Sequence, residues 1–190
     1  MRSTVRGTII CLLFSGLCAG TGRAATVTWD NGGGDDAWTT GTNWDGDTVP
    51  GVGDDVVIPG GNTVNLSTTT SVNSLDCSGT FNLSGNTFTL AATSQIQASG
   101  TFNMSGGILT GAGNLTVNGS MTWTGGTMKG SGQTIIPSGK TLSISGSNNK
   151  TLESRTLTNQ GTVTLSGTGA VRLYYGPTIS NQSGGVFDVQ

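Results

Sequence analysis

The sequence predicts an all-β chain folded as a right-handed single-stranded parallel β-helix, a solenoid with three short strands in every coil. The first observation is a phrase that recurs six times: Gly79-Thr-Phe81-Asn-Leu83, Gly100-Thr-Phe102-Asn-Met104, Gly119-Ser-Met121-Thr-Trp123, Gly139-Lys-Thr-Leu142-Ser-Ile144, Gly161-Thr-Val163-Thr-Leu165 and Gly185-Val-Phe187-Asp-Val189. Its first apolar residues step by 21, 19, 21, 21 and 24. A period of that size marks a solenoid, in which each repeat buries its apolar face only against its neighbours. Second, every period holds further short apolar runs between Ser-Gly, Gly-Gly and Gly-Asn corners. Third, 33 glycines with only 9% charged residues suit neither a helical domain nor a charged disordered tail.

In chain order, residues 1–24 read as a signal peptide. Arg2 and Arg6 form a basic start, Thr8 to Ala19 an apolar stretch, and Gly22-Arg-Ala24 a small-x-small cleavage site. The apolar stretch is too short to span a membrane, and no transmembrane segment follows it. Residues 25–55 read as an N-terminal cap, holding Trp29, Trp38, Trp44 and seven of the ten acids. An open solenoid end is an unpaired sheet edge that invites aggregation, and an atypical cap is the usual remedy.

Residues 56–190 read as the coils. The first is irregular, with Val56/Ile58, Val64/Leu66 and Val72/Leu75 as its apolar groups. Phe81/Leu83 is followed by Phe88/Leu90 and Ile96, and Phe102/Met104 by Ile108/Leu109 and Leu115/Val117. Next come Met121/Trp123, Met128 and Ile135/Ile136, then Leu142/Ile144, Leu152 and Leu157, then Val163/Leu165, Val171/Leu173 and Ile179. Alternation along each strand places apolar residues inward and polar residues outward. The last phrase stops in mid-coil, so the coil is expected to continue in a longer chain or to stack on a partner.

Without the leader, five basic residues face ten acids. That balance argues against nucleic acid or anionic lipid as partner. Cys77 is then the one remaining cysteine, so no internal disulfide forms and stability rests on the repeat. The chain has no histidine, which removes Ser-His-Asp and Cys-His nucleophile systems and His-ligated metal sites. Beyond the cap the acids are Asp76, Glu153 and Asp188, too sparse to place a carboxylate pair for glycoside hydrolysis. No catalytic activity is expected; the less favoured alternative is a fragment of a polysaccharide-processing enzyme whose catalytic coils lie further along.

The opening segment, with Thr26-Val-Thr-Trp29-Asp, Gly32-Gly-Gly-Asp35-Asp-Ala-Trp38, Asn43-Trp44, Val49-Pro50-Gly and Gly53-Asp54-Asp55-Val56-Val-Ile58, leads into the Gly-Thr-Phe-Asn coils. Together they resemble the N-terminal part of bacterial exported β-helical surface proteins, the autotransporter-passenger and filamentous-haemagglutinin-like repeat proteins. The resemblance implies placement outside the cell or on its surface, in an adhesive or structural role, usually in longer chains. It brings no catalytic residues with it.

The candidate binding residues are the outward side chains of the first strand of each coil: Thr80, Asn82, Thr101, Asn103, Thr122, Thr124, Thr162 and Thr164. Stacked about 4.8 Å apart, they form a hydroxyl and amide array of a kind that meets ice, polysaccharide or a host or neighbouring cell surface. Thr and Ser are also ordinary solvated residues on a pleated surface. Asp35, Asp36, Asp45 and Asp47, set among glycines, are candidate calcium ligands. They lack the EF-hand and nonapeptide spacings, and Asp-Gly pairs are equally plain turn chemistry. Tyr174-Tyr175, Trp38 and Trp44 are candidates to stack on sugars, although packing is the usual fate of such rings. Glu153 and Arg155 read as a surface ion pair, worth under about 1 kcal/mol.

Overall fold

The structure, a computed structural model, describes residues 24–190; apart from Ala24, the leader expected over residues 1–24 lies outside the described residues. The chain is a parallel β-solenoid of three sheets. The eight-stranded sheet runs Thr26–Thr28, Asp55–Ile58, Ser74–Cys77, Ser94–Ile96, Leu115–Val117, Gln133–Ile136, Thr156–Asn159 and Thr178–Asn181. The seven-stranded sheet runs Thr63–Leu66, Thr80–Leu83, Thr101–Met104, Ser120–Trp123, Thr141–Ile144, Thr162–Leu165 and Val186–Val189. The six-stranded sheet runs Thr70–Val72, Thr87–Leu90, Ile108–Thr110, Gly126–Lys129, Lys150–Glu153 and Val171–Tyr174. Each coil adds one strand to each sheet, and every strand pairs in parallel with its counterpart one coil away.

The bore is largely apolar because one or two residues of most strands point inward and stack in columns. On the seven-stranded sheet Phe81, Phe102, Met121, Leu142 and Val163 form one column, and Leu83, Met104, Trp123 and Ile144 the next. All of these are buried. The last rung leaves inward Leu173 52% exposed and inward Val189 68% exposed, since no strand lies over them.

Corner glycines permit the tight stacking. A methyl group built on Gly79, Gly100, Gly119, Gly161 or Gly185 collides with carbonyl oxygens of the preceding coil, such as Pro59 O at 2.7 Å from that on Gly79. Gly139 is different: it has open space and φ +73°, and Lys140 provides the carbonyl beneath Gly161.

The first coil departs from the expected grouping. Val72 ends a strand of the six-stranded sheet, whereas Leu75 pairs with Val56 in the eight-stranded sheet beside Cys77. Asn73 and Ser74 turn that corner: both backbone N–H groups donate to Asp54 O, and both side chains donate to Asp55 Oδ1. The pair Ile135/Ile136 also resolves differently. Thr134 and Ile136 face inward, while Ile135 lies outside, because Thr134 stacks between Leu115 and Leu157.

The cap joins the sheets instead of lying beside them. Thr26–Thr28 adds a strand to the eight-stranded sheet, and Ala37 bridges Asn65 at the edge of the seven-stranded one. Trp29 and Trp38 meet Trp44 edge-on at 4.8 and 4.7 Å, and Trp38 continues onto Phe81 and Phe88 at 5.9 and 5.7 Å. These tryptophans close the bore. Trp38 and Trp44 are fully buried, so packing prevails over the stacking role considered for them.

Candidate functional site

The outward face of the seven-stranded sheet carries two columns in register. One is Thr63, Thr80, Thr101, Ser120, Thr141 and Thr162; the other is Asn65, Asn82, Asn103, Thr122, Ser143 and Thr164. The expected residues are thus brought together on one uncharged face, with one displacement. Thr124 lies past the end of Ser120–Trp123, at the corner, where its N–H donates to Met104 O. In the second column Asn82 Nδ2 donates to Asn65 Oδ1 at 2.8 Å, and Asn103 Nδ2 to Asn82 Oδ1 at 2.9 Å. The amides therefore form a ladder along the solenoid axis, and the hydroxyls continue that column beyond Asn103. The last rung ends both columns with Val186 and Asp188.

The acidic opening works as turn and cap chemistry. Asp35 accepts from Ala37 N at 3.0 Å, Thr40 Oγ1 at 2.6 Å and Asn43 Nδ2 at 2.6 Å. The Thr40 hydroxyl first, then the Ala37 amide and the Asn43 amide, hold its carboxyl below the ordinary aspartate value. Asp45 Oδ1 accepts from Thr28 N at 2.7 Å. Asp36 and Asp47 take φ of 55° and 54°, the left-handed turn region that aspartate tolerates. Among the described residues no group of three or more His, Cys, Asp or Glu side chains is placed to hold a metal. The organiser of this loop is Asn43, which the sequence offers only as part of the Asn43-Trp44 phrase and not as a site residue. Fully buried, it accepts from Gly33 N and Gly34 N and donates to Asp35 Oδ1 and Ala37 O.

The bore itself holds cations that the sequence placed outside. Arg155 is fully buried, so the surface ion pair with Glu153 does not form. Its Nε donates to Thr134 Oγ1 at 2.9 Å, its Nη1 to Lys129 O, and its Nη2 to Gln133 O at 2.9 Å and Gly113 O at 3.2 Å. Burial pushes the guanidinium down to about 10, so it stays charged at neutral pH. Lys150 is also buried, with Nζ donating to Gly146 O at 3.3 Å, and burial lowers its ammonium below the ordinary value. The Cys77 thiol is buried and pushed up to about 12, chiefly by burial. It is therefore an inert core group.

Lys150 makes stability depend on pH with a definite sign. Its folded value lies below its unfolded value of about 10.5, so between the two the unfolded chain binds more protons. Stability should rise with pH through that window and level off above it. The urea midpoint of the wild-type protein is expected to climb more steeply than that of Lys150→Met as pH rises toward 10.5. The variant's stability should vary less with pH than the wild type's, because it has no ammonium to desolvate on folding. Equal slopes would show that Lys150 does not carry the effect.

Among the described residues no helix is long and apolar enough to cross a membrane. Comparisons with protein-family models, with curated proteins and with solved structures find no match.

Proposed function

We propose that this chain is an exported structural or adhesive surface element that works without catalysis. Its stacked coils hold a rigid polar face for weak contacts repeated along the axis. The observation that carries this reading is the pair of uncharged columns from Thr63 to Thr162 and from Asn65 to Thr164, seated on a buried apolar core. Repetition at fixed spacing is what multivalent binding needs, since each further contact is intramolecular once the first has formed.

Export is supported by Arg2, Arg6, the Thr8–Ala19 stretch and Gly22-Arg-Ala24. The absence of catalysis is supported by the lack of histidine and by the positions of the coil acids. Beyond Asp55, the acids Asp76, Glu153 and Asp188 stand on the eight-, six- and seven-stranded sheets respectively, so no two of these three share a sheet, and the Asp55 carboxylate accepts from Asn73 and Ser74.

Beads coated densely with the protein should be retained on bacterial cells or on immobilised polysaccharide, while the free protein washes off. Thr122→Lys, which puts a charge in the middle of the face, should reduce retention several-fold. Beads that are not retained at any coating density would overturn the reading. Calcium is proposed no further than the acidic loop of the cap, and added chelator should leave retention unchanged. A second reading, ordered binding to ice by the threonine column, is favoured by the four hydroxyl residues from Thr101 to Thr162 at successive rungs. Inhibition of ice recrystallisation by the wild-type protein, lost in Thr122→Lys, would select it.

A further inference from the structure

We propose that Tyr174, Tyr175 and Arg172 form a carbohydrate-binding site on and beside the six-stranded sheet. Pyranose rings would stack on the two phenol rings, and the guanidinium and phenolic hydroxyls would bond their hydroxyl or carboxylate oxygens. The site stands on a different sheet from the threonine and asparagine columns and does not depend on them.

The first argument is exposure against the habit of the rest of the chain. All four tryptophans and Phe81, Phe88 and Phe102 are buried, yet Tyr174 is 46% and Tyr175 81% exposed. The last-rung position accounts for only part of that exposure, since Lys129 and Glu153 in the same outward column stay partly exposed with a rung above them. Tyr174 stands in the outward column above Lys129 and Glu153, whereas Leu173 stands in the inward column above Leu152. A further coil would cover the leucine and leave the tyrosine partly in water.

The second argument is backbone conformation. The corner after each of the last four strands of this sheet takes a positive-φ residue, which is Gly111 at φ 111°, Gly130 at 90°, Ser154 at 54° and Tyr175 at 59°. Glycine adopts that conformation freely, and a bulky side chain adopts it at a cost. The chain thus holds an aromatic residue at a position that favours glycine and turns its ring outward, where packing gains nothing. Strain kept without a packing gain is typical of a working surface.

The third argument is the chemistry around the rings. Their centroids are 6.4 Å apart and their planes meet at 45°, giving a shallow angled platform. Arg172 is exposed on the same strand, and Thr151 and Glu153 lie one rung below it. A pyranose has one C–H face and a rim of hydroxyls, and it matches a phenol ring flanked by polar donors. A second protein would need far more apolar area than two rings offer.

Affinity electrophoresis through gels containing a soluble neutral β-glucan or a soluble polyuronate tests the proposal. The wild-type protein should be retarded in at least one gel. Retardation by the polyuronate alone, lost in Arg172→Gln, would assign the ligand's charge; retardation by both would assign the contact to stacking. Tyr174→Ala and Tyr175→Gly should each weaken binding roughly tenfold, the scale of one lost contact at a small interface. Tyr175→Gly is the decisive variant, because glycine suits its backbone and its melting midpoint should be unchanged or raised. Val52→Ser, an exposed change in the N-terminal cap, should be retarded like wild type. Free migration of the wild-type protein in both gels, or unchanged retardation of both tyrosine variants, would overturn the proposal.

Discussion

Gly119→Ala is expected to lower the melting midpoint by roughly 6–12 °C, while Gly85→Ala leaves it within about 2 °C of wild type. Both residues stand at solenoid corners, and neither needs a left-handed backbone. What separates them is the space above the Cα atom. A methyl group on Gly119 is driven into the carbonyl oxygens of Gly100 and Gln97, whereas one on Gly85 meets nothing within 4 Å. The Gly100 carbonyl is already engaged by the Ser120 N–H at 3.0 Å, so relief would stretch a bond that ties one coil to the next. A clash with backbone, which cannot rotate away as a side chain does, should cost about 3 kcal/mol or more. Differential scanning calorimetry of the two variants measures this, and equal midpoints would refute the close-approach argument.

Arg155→Ala should destabilise the protein by about 3 kcal/mol, read from the urea midpoint at pH 7. The guanidinium lies over Gly132 and Gly113, at the corner between the six- and eight-stranded sheets. The register Leu115–Thr134–Leu157 puts these three residues, each two places earlier, one above another. Two stacked glycines leave a volume that the arginine fills, and a methyl group on Gly132 would come within 3.0 Å of Nη1. Truncation removes the filling and the donors to Gly113 O, Gln133 O, Lys129 O and Thr134 Oγ1 together. Arg155→Met should recover the packing but not the hydrogen bonds, and so should fall between alanine and wild type. If both variants matched wild type, the arginine would not be a structural plug.

The columns of the candidate face were readable because alternation and period are local properties of the chain. Once Phe81 and Leu83 are assigned inward, Thr80 and Asn82 must be outward, and the same holds one period later for Thr101 and Asn103. Thr124 was misplaced in this scheme because the strand ends at Trp123, and a strand end depends on where the corner turns. The asparagine ladder was only half visible. Asn65 belongs to an irregular coil, 17 residues before Asn82, outside the 19-to-24-residue rhythm that singled out the other rungs.

The polar residues of the bore were not legible at all. Asn159 follows Leu157 at the inward position that Ile58, Cys77, Ile96, Val117 and Ile136 occupy in earlier coils. Buried there, it donates to Asn181 Oδ1 and Val186 O and accepts from Gly161 N. A composition rule that sends arginine, lysine and asparagine outward fails here because each meets carbonyl or amide acceptors at a corner, which offset its burial.

The sequence by itself determined the solenoid, its three strands per coil and the inward columns. A hydrophobic period repeated every 19 to 24 residues has few other ways to bury itself. Tertiary structure alone decided which corner carbonyls face empty volume, where Arg155, Lys150 and Asn159 are buried, and why Tyr175 stands outside. Those outcomes depend on which residues of successive coils come to lie over one another. That vertical alignment is set by strand register and corner length summed over a whole coil, and no short stretch of sequence contains it.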